Sequence, residues 1–156
     1  MTMARKWLNP AEQAAWRNFI TALGPLMDAL EHDLSPHGLT LGDYEVLVHL
    51  SEAEHRRMRM CDLAGMLRLS PSGLTRRLDG LVRHGLVERR AATDDRRVMH
   101  AHLTDAGYEL LQRAAPDHVA SVRRHLLDPL DAAQIDQLAV MFGAVRAELL
   151  GDQAVA

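Results

Sequence analysis

The stretch Leu69-Ser70-Pro71-Ser72-Gly73-Leu74-Thr75-Arg76-Arg77-Leu78 decides how this chain is read. Ser70 suits a helix N-cap, because its hydroxyl can accept a bond from a helix N–H that has no carbonyl partner. Pro71 then occupies the first helical position, where its φ is preset and its missing N–H costs nothing. Behind them Leu74, Leu78, Leu81 and Val82 recur at i, i+4, i+7 and i+8 and make one apolar face. Ser72, Thr75 and Arg76, spaced i, i+3 and i+4, project together from the first turns on the polar side. That end of such a helix is the part that enters a DNA major groove in helix-turn-helix proteins. Gly85 is placed to close the helix in the left-handed conformation.

On the C-terminal side, Leu86-Val87-Glu88-Arg89-Arg90 reads as a short strand and Val98-Met99-His100-Ala101-His102-Leu103 as its antiparallel partner. Between them Ala91-Ala92-Thr93-Asp94-Asp95-Arg96-Arg97 forms a polar tip, which makes the hairpin a wing. Arginines at such a tip suit a narrow minor groove, where the negative potential is enhanced. On the N-terminal side, Cys61 to Leu67 is predicted to be the first helix of the pair, with Leu63, Met66 and Leu67 buried and Cys61 at the cap. Arg57-Met58-Arg59-Met60 supplies a very short strand to pair with the wing.

Charge is distributed as this reading requires. The formal net charge is −3, yet His55 to His100 holds eleven arginines, no lysine and five acids, a local +6 against −9 elsewhere. A basic centre within acidic flanks is the electrostatic footprint of a nucleic-acid-binding module. Arginine rather than lysine favours bidentate contacts to phosphates and bases. The chain has 156 residues, 47% hydrophobic and 4% aromatic, enough for one sizeable core. It has no apolar run of membrane-spanning length, and Met1 to Trp7 lacks the apolar core of a signal peptide. The single Cys61 excludes an internal disulfide framework. The expected setting is the cytoplasm.

The flanks read as helices. Residues 1–38 are an N-terminal arm and dimerisation helix, opened by an Asn9-Pro10-Ala11-Glu12 capping box and bent at Gly24-Pro25, with Ser35 to Gly38 a loop. Trp16, Phe19, Leu23, Leu26 and Leu30 follow at steps of 3 and 4, a narrow heptad-like seam. Residues 39–103 form the winged helix-turn-helix, entered through a Thr40-Leu41-Gly42-Asp43 capping box with Tyr44, Val46, Leu47 and Leu50 facing inward. Residues 104–150 are C-terminal dimerisation helices. Thr104 caps the first, kinked at Pro116, with Tyr108, Leu111, Ala115, Val119, Val122 and Leu126 on one side. Asp131-Ala132-Ala133-Gln134 opens the second, whose Ile135, Leu138, Phe142, Val145 and Leu149 again step by 3 and 4. Residues 151–156 are expected to be a disordered tail. The fold class is mainly α with a small β-wing. Narrow stripes on the first and last helices suit a second copy of the chain, and hence a homodimer with two recognition helices on a palindromic site.

The run Leu69-Ser70 … Leu74-Thr75-Arg76 … Leu78-Asp79-Gly80-Leu81 … Gly85-Leu86-Val87, continued by Asp95-Arg96-Arg97 and Leu103-Thr104 … Gly107, resembles the MarR family of transcriptional regulators. The resemblance covers Leu39 to Gly107 directly, and the flanking helices match the family's dimerisation elements in placement. It implies a dimeric winged-helix repressor of double-stranded DNA. DNA affinity in the family often falls when a small, frequently aromatic or phenolic, effector binds between the dimer helices and the DNA-binding domain. Carried over, Ser70, Ser72, Thr75 and Arg76 match recognition-helix contacts to phosphate or base edges, with Arg77 adjacent. Asp95 and Arg97 match a wing pair in which the acid steadies an arginine, and Arg96 or Arg97 enters the minor groove. The wing lacks the proline often found at its start.

Other residues carry less. Cys61 at a helix start could be redox-active, but a plain small residue accounts for it. His100 and His102 share a strand face within reach of one metal, yet two ligands do not make a site, and no metal or cofactor is expected. Trp16 could line an effector pocket or fill the dimer seam. The sequence has no phosphate-binding glycine loop and no legible nucleophile–base pair, so no enzyme activity is expected. The alternative to a DNA-reading protein is a winged-helix protein-interaction module.

Overall fold

In the computed structural model, which describes residues 7–92 and 95–151, helix α1 (Pro10–Leu34) starts where its capping box predicts. Asn9 Oδ1 accepts the Glu12 N–H at 2.9 Å, and Glu12 Oε2 accepts the Asn9 N–H at 2.8 Å. The helix runs through Gly24-Pro25 as one element of 25 residues. A proline removes one rung from the ladder, and a helix this long keeps the rungs on either side. Ser35–His37 is a single 3₁₀ turn ended by Gly38 at φ 70°, where the absence of a Cβ removes the left-handed penalty.

Thr40 opens α2 (Leu41–Glu52), its Oγ1 accepting the Asp43 N–H at 3.0 Å. Strand β1 (Arg57–Arg59) leads directly into α3 (Met60–Met66), and α4 (Pro71–Arg83) follows, capped by Ser70. Strands β2 (Val87–Ala91) and β3 (Met99–Leu103) form the wing. The sheet is antiparallel in the order β1-β3-β2, with Arg59 opposite His100, Val87 opposite Leu103 and Ala91 opposite Met99. Then come α5 (Asp105–Val122), a π-helical turn over Arg123–Leu127, and α6 (Ala132–Leu150).

The core is where the helical and strand periodicities converge. Leu34, Leu47, Leu50, Leu63, Leu74, Leu78 and Val87 are fully buried, joined by Tyr44, Leu81, Ala101, Leu103 and Leu111. Each such leucine contributes about 1.5–3 kcal/mol by leaving water. The four inward residues expected on α2 are all buried. Gly107 lets α5 lie against the chain entering β2: a Cβ there would collide with the Leu86 carbonyl oxygen.

Two expectations of burial and one of capping are revised. Met66 is exposed and Ala64 is buried in its stead, because α3 is only seven residues long and turns a different edge to the core. Cys61 is not the cap of α3: Arg59 holds that position, and Cys61 sits exposed in the first turn. On α5 the buried line is Gly107, Leu111, Ala114 and Ser121, while Val119 faces solvent. α5 packs against both α1 and α2, and its small side chains allow that approach. The arm residues 1–6, the tail residues 152–156, and Thr93 and Asp94 of the wing tip lie outside the described residues. No helix of the described residues is long and apolar enough to cross a membrane.

Candidate nucleic-acid interface

The first turns of α4 are built by their own side chains. The Gly73 N–H donates to Ser70 Oγ at 3.1 Å, and the Ser70 and Ser72 hydroxyl oxygens are 3.2 Å apart. Thr75 Oγ1 donates back to the Pro71 carbonyl at 2.9 Å, which leaves the oxygen's lone pairs able to accept. Ser70, Ser72, Thr75 and Arg76 are all exposed, so one open face at the helix N-terminus carries three hydroxyls and a guanidinium.

Arg77 leaves that face. It turns to the start of α2, where its Nη1 donates to Thr40 Oγ1 at 3.1 Å and lies 3.9 Å from an Asp43 carboxylate oxygen. A Cβ on Gly42 would collide with this guanidinium, so the missing side chain makes the room for it. Arg77 therefore braces α4 against α2, which corrects its grouping with the outward residues. One residue along a helix is a rotation of about 100°, enough to move a side chain from the open face to a packed one.

The residue that sequence reasoning missed is Arg89. From the wing, its Nη2 donates to the Thr75 carbonyl at 2.7 Å and to Asp79 Oδ1 at 2.8 Å, tying β2 to the middle of α4. Its Nε is buried with no partner among the described residues. The available signal was the strand's period of two: Val87 is buried, and Arg89 follows it on the inward face opposite buried Ala101.

At the wing tip the Ala92 N–H donates to the Val98 carbonyl at 2.8 Å, and the Val98 N–H to the Asp95 carbonyl at 2.9 Å. Asp95 Oδ1 accepts the Arg97 backbone N–H at 2.9 Å. The acid thus steadies the backbone of Arg97, while Arg96 and Arg97 are both exposed. The outward sheet face carries His100 and His102, with ring centroids 6.2 Å apart. Burial, then the charges of Arg90 and Arg57, hold His102 below the usual histidine range. Among the described residues no three metal-ligating side chains converge. Cys61 Sγ lies 3.4 Å from Asp62 Oδ1 on the surface.

Away from this face, a cleft of about 270 Å³ opens between α1, α2 and α5, lined by Met27, Leu30, Leu41, Tyr44, Val48 and His118, with Glu45 and His49 at its polar side. The His118 ring lies against Tyr44, 4.4 Å between centroids, and its Nδ1 is buried without a partner among the described residues. Burial pushes His118 below, and Tyr44 above, the ordinary values for their types.

The seam residues of α1 and α6 lie largely in solvent. Trp16, Phe19, Leu23, Phe142, Val145 and Leu149 are exposed, and Ile135 and Leu138 are half-buried. Phe19 and Phe142 meet at 5.7 Å, and Trp16 lies 6.2 Å from Phe19, so the two helices already share one aromatic cluster within the chain. Ile20, Val140 and Met141 widen the exposed apolar surface beyond the predicted seams.

The chain as a whole is similar to known proteins. A family model described as MarR family matches residues 39–99. AbsC, a MarR family transcriptional regulator from Streptomyces coelicolor, is 41% identical, with a TM-score of 0.87 over 94% of this chain and 99% of that one. Sco3205, a MarR family transcriptional regulator from the same organism solved in complex with DNA, is 36% identical, with a TM-score of 0.87 over 97% of this chain and 96% of that one. The HTH-type transcriptional repressor YetL of Bacillus subtilis is 32% identical over 60% of this chain, a match that spans 56% of YetL. Since the likeness to the two Streptomyces regulators runs nearly end to end and includes the capped α4 and the wing, the chain belongs to the MarR family of transcriptional regulators.

Proposed function

We propose that this chain is a cytoplasmic, non-catalytic transcriptional repressor that binds a palindromic DNA operator as a homodimer. The observation that carries the reading is the open N-terminal face of α4, with Ser70, Ser72, Thr75 and Arg76 exposed together and the wing tied to the same helix through Arg89. Hydroxyls and backbone contacts to phosphates set the register, and Arg76 reads a base edge. Arg96 or Arg97 enters the flanking minor groove, with Asp95 holding the local backbone. Arg77 and Arg89 act from behind, by fixing α4 against α2 and the wing.

Dimerisation through α1 and α6 supports the same reading. α6 has no buried residue, and its exposed Val140, Met141, Phe142, Val145 and Leu149 sit beside exposed Trp16, Phe19, Ile20 and Leu23 of α1. A patch of this extent marks an association surface. A two-fold partner using the same two helices would bury it and set two α4 helices about one DNA turn apart. The cleft under Tyr44 and His118 would take a small aromatic or phenolic effector. A ligand there favours whichever spacing of α1 and α2 it fits best, and so shifts the dimer away from the operator-binding spacing.

A gel shift on the DNA upstream of the protein's own gene, with excess unrelated competitor, tests the proposal. The expected result is a discrete, competitor-resistant complex lost in Arg76→Ala. A smear removed by competitor and unchanged in Arg76→Ala would favour a winged-helix module that contacts proteins instead.

A further inference from the structure

The outward face of the three-stranded sheet is unused by the interface described above, and its composition is specific. Strand alternation puts Arg57 and Arg59 of β1, His100 and His102 of β3, and Glu88 and Arg90 of β2 on that one face. The register stacks them in two rows: Arg57, His102 and Glu88, then Arg59, His100 and Arg90. Same-face residues on a strand repeat about every 6.8 Å and strands lie about 4.8 Å apart, so the six side chains form one compact grid. Arg57 and Arg59 are exposed, and the histidines beside them on β3 are half-buried. Glu88 pairs with Arg90 and leaves both β1 arginines without a carboxylate from this grid.

A cleft of about 410 Å³ runs over this grid, lined by Arg57, Arg59, Arg90, His100 and His102 with no acidic side chain in its wall, while Glu54 and Asp62 line an adjoining cleft that shares Arg57, Arg59 and His100. The other end of the first cleft is Ala91, Ala92 and Val98, the base of the wing tip. The cleft is therefore continuous with the segment that holds Arg96 and Arg97. From this continuity and charge, we infer that the sheet's outward face is a second DNA-backbone surface, taking phosphates beyond the minor groove that the wing tip enters. The inference rests on the proposed DNA-binding function. Guanidinium groups suit the role, because each can grip a phosphate through two parallel N–H bonds.

The test compares two operator duplexes by fluorescence anisotropy over a range of salt concentrations. One ends at the minor grooves occupied by the wings; the other carries about one further helical turn, ~10 bp, on each side. Wild-type protein is expected to bind the long duplex about ten-fold more tightly at low salt, with a steeper salt dependence. In the double variant Arg57→Gln, Arg59→Gln the advantage of the long duplex disappears. Its salt slope on that duplex falls by about 3.6, at about 0.9 for each of four contacts in a dimer. Arg57→Lys with Arg59→Lys retains most of the slope, since each lysine still displaces counterions.

Equal affinity of the wild type for both duplexes would overturn the inference, as would a double variant that still prefers the long one. If the arginines serve only to keep the exposed β1 edge from pairing with other chains, the double variant self-associates and no duplex-length effect exists. Failure of the underlying reading has a different signature: no specific binding to either duplex, and no loss in Arg76→Ala.

Discussion

Between Leu39 and Leu103 the chain covers its own apolar surface: Leu47, Leu50, Leu63, Leu74 and Leu78 are wholly buried within a single copy. Along α6 no residue is buried, and Trp16 and Phe19 of α1 face solvent with Phe142 and Val145. Both regions carry apolar faces, and their solutions to them are opposite. The winged part surrounds its leucines with three helices and a sheet. The C-terminal end of α1 packs on α5 and α2, but its seam face meets only α6, through the Phe19–Phe142 contact, and two helices cannot enclose a stripe on both. Stability is thus expected to come from the winged part in isolation and from association in the helical part.

The sharpest break of this contrast is Leu78→Ala. At a wholly buried site it removes transfer energy and leaves a cavity, costing about 2–5 kcal/mol in denaturant unfolding. A change below 1 kcal/mol would mean that the core does not centre on α4. Phe142→Glu comes next. It should weaken dimerisation by about 2–4 kcal/mol, read by sedimentation, while the near-UV spectrum of the winged part stays native. A dimer of unaltered affinity would place the interface elsewhere.

Arg89→Ala sharpens the comparison within the winged part. It cuts the tie from wing to α4, at the Thr75 carbonyl and Asp79, while leaving every side chain proposed to face DNA in place, so operator affinity should drop about ten-fold, near 1.4 kcal/mol. If affinity holds, the wing is positioned by its strands alone. Thr40→Ala removes the α2 cap and one anchor of Arg77, for a loss of about 1 kcal/mol in thermal unfolding. The smallest effect is that of pH. His118 is held below the histidine value of 6.5, chiefly by burial. Below that pH the unfolded chain takes up a proton before the folded one does. Stability contributed by neutral His118 is therefore full above pH 6.5 and declines as pH falls toward its folded pKa. His118→Gln should flatten that decline, and an unchanged pH profile would remove His118 as its cause.

Much of the fold was legible because its signals are local. The Asn9, Thr40, Ser70, Thr104 and Asp131 caps each satisfy an N–H three residues ahead, so identity and spacing alone locate the helix starts. The wing strands alternate visibly, and Leu74, Leu78 and Leu81 declare a buried face. Met66, Cys61 and Val119 were harder, since periodicity shows that a helix has an apolar side but not where a short helix is rotated against its neighbours. The interface was legible as a region but not residue by residue. Adjacent arginines look alike in sequence, and Arg76, Arg77 and Arg89 differ only in what lies across from them.

The sequence by itself therefore determined the order of elements, the helix caps, the wing and the basic centre, because those depend on residues within about four positions of each other or on composition. Tertiary structure alone decided that Arg77 braces α2, that Arg89 joins wing to helix, that His118 lies against Tyr44, and that six polar side chains from three strands form one face. Each of those depends on segments distant in sequence meeting at a few ångströms, and on how much solvent that meeting excludes.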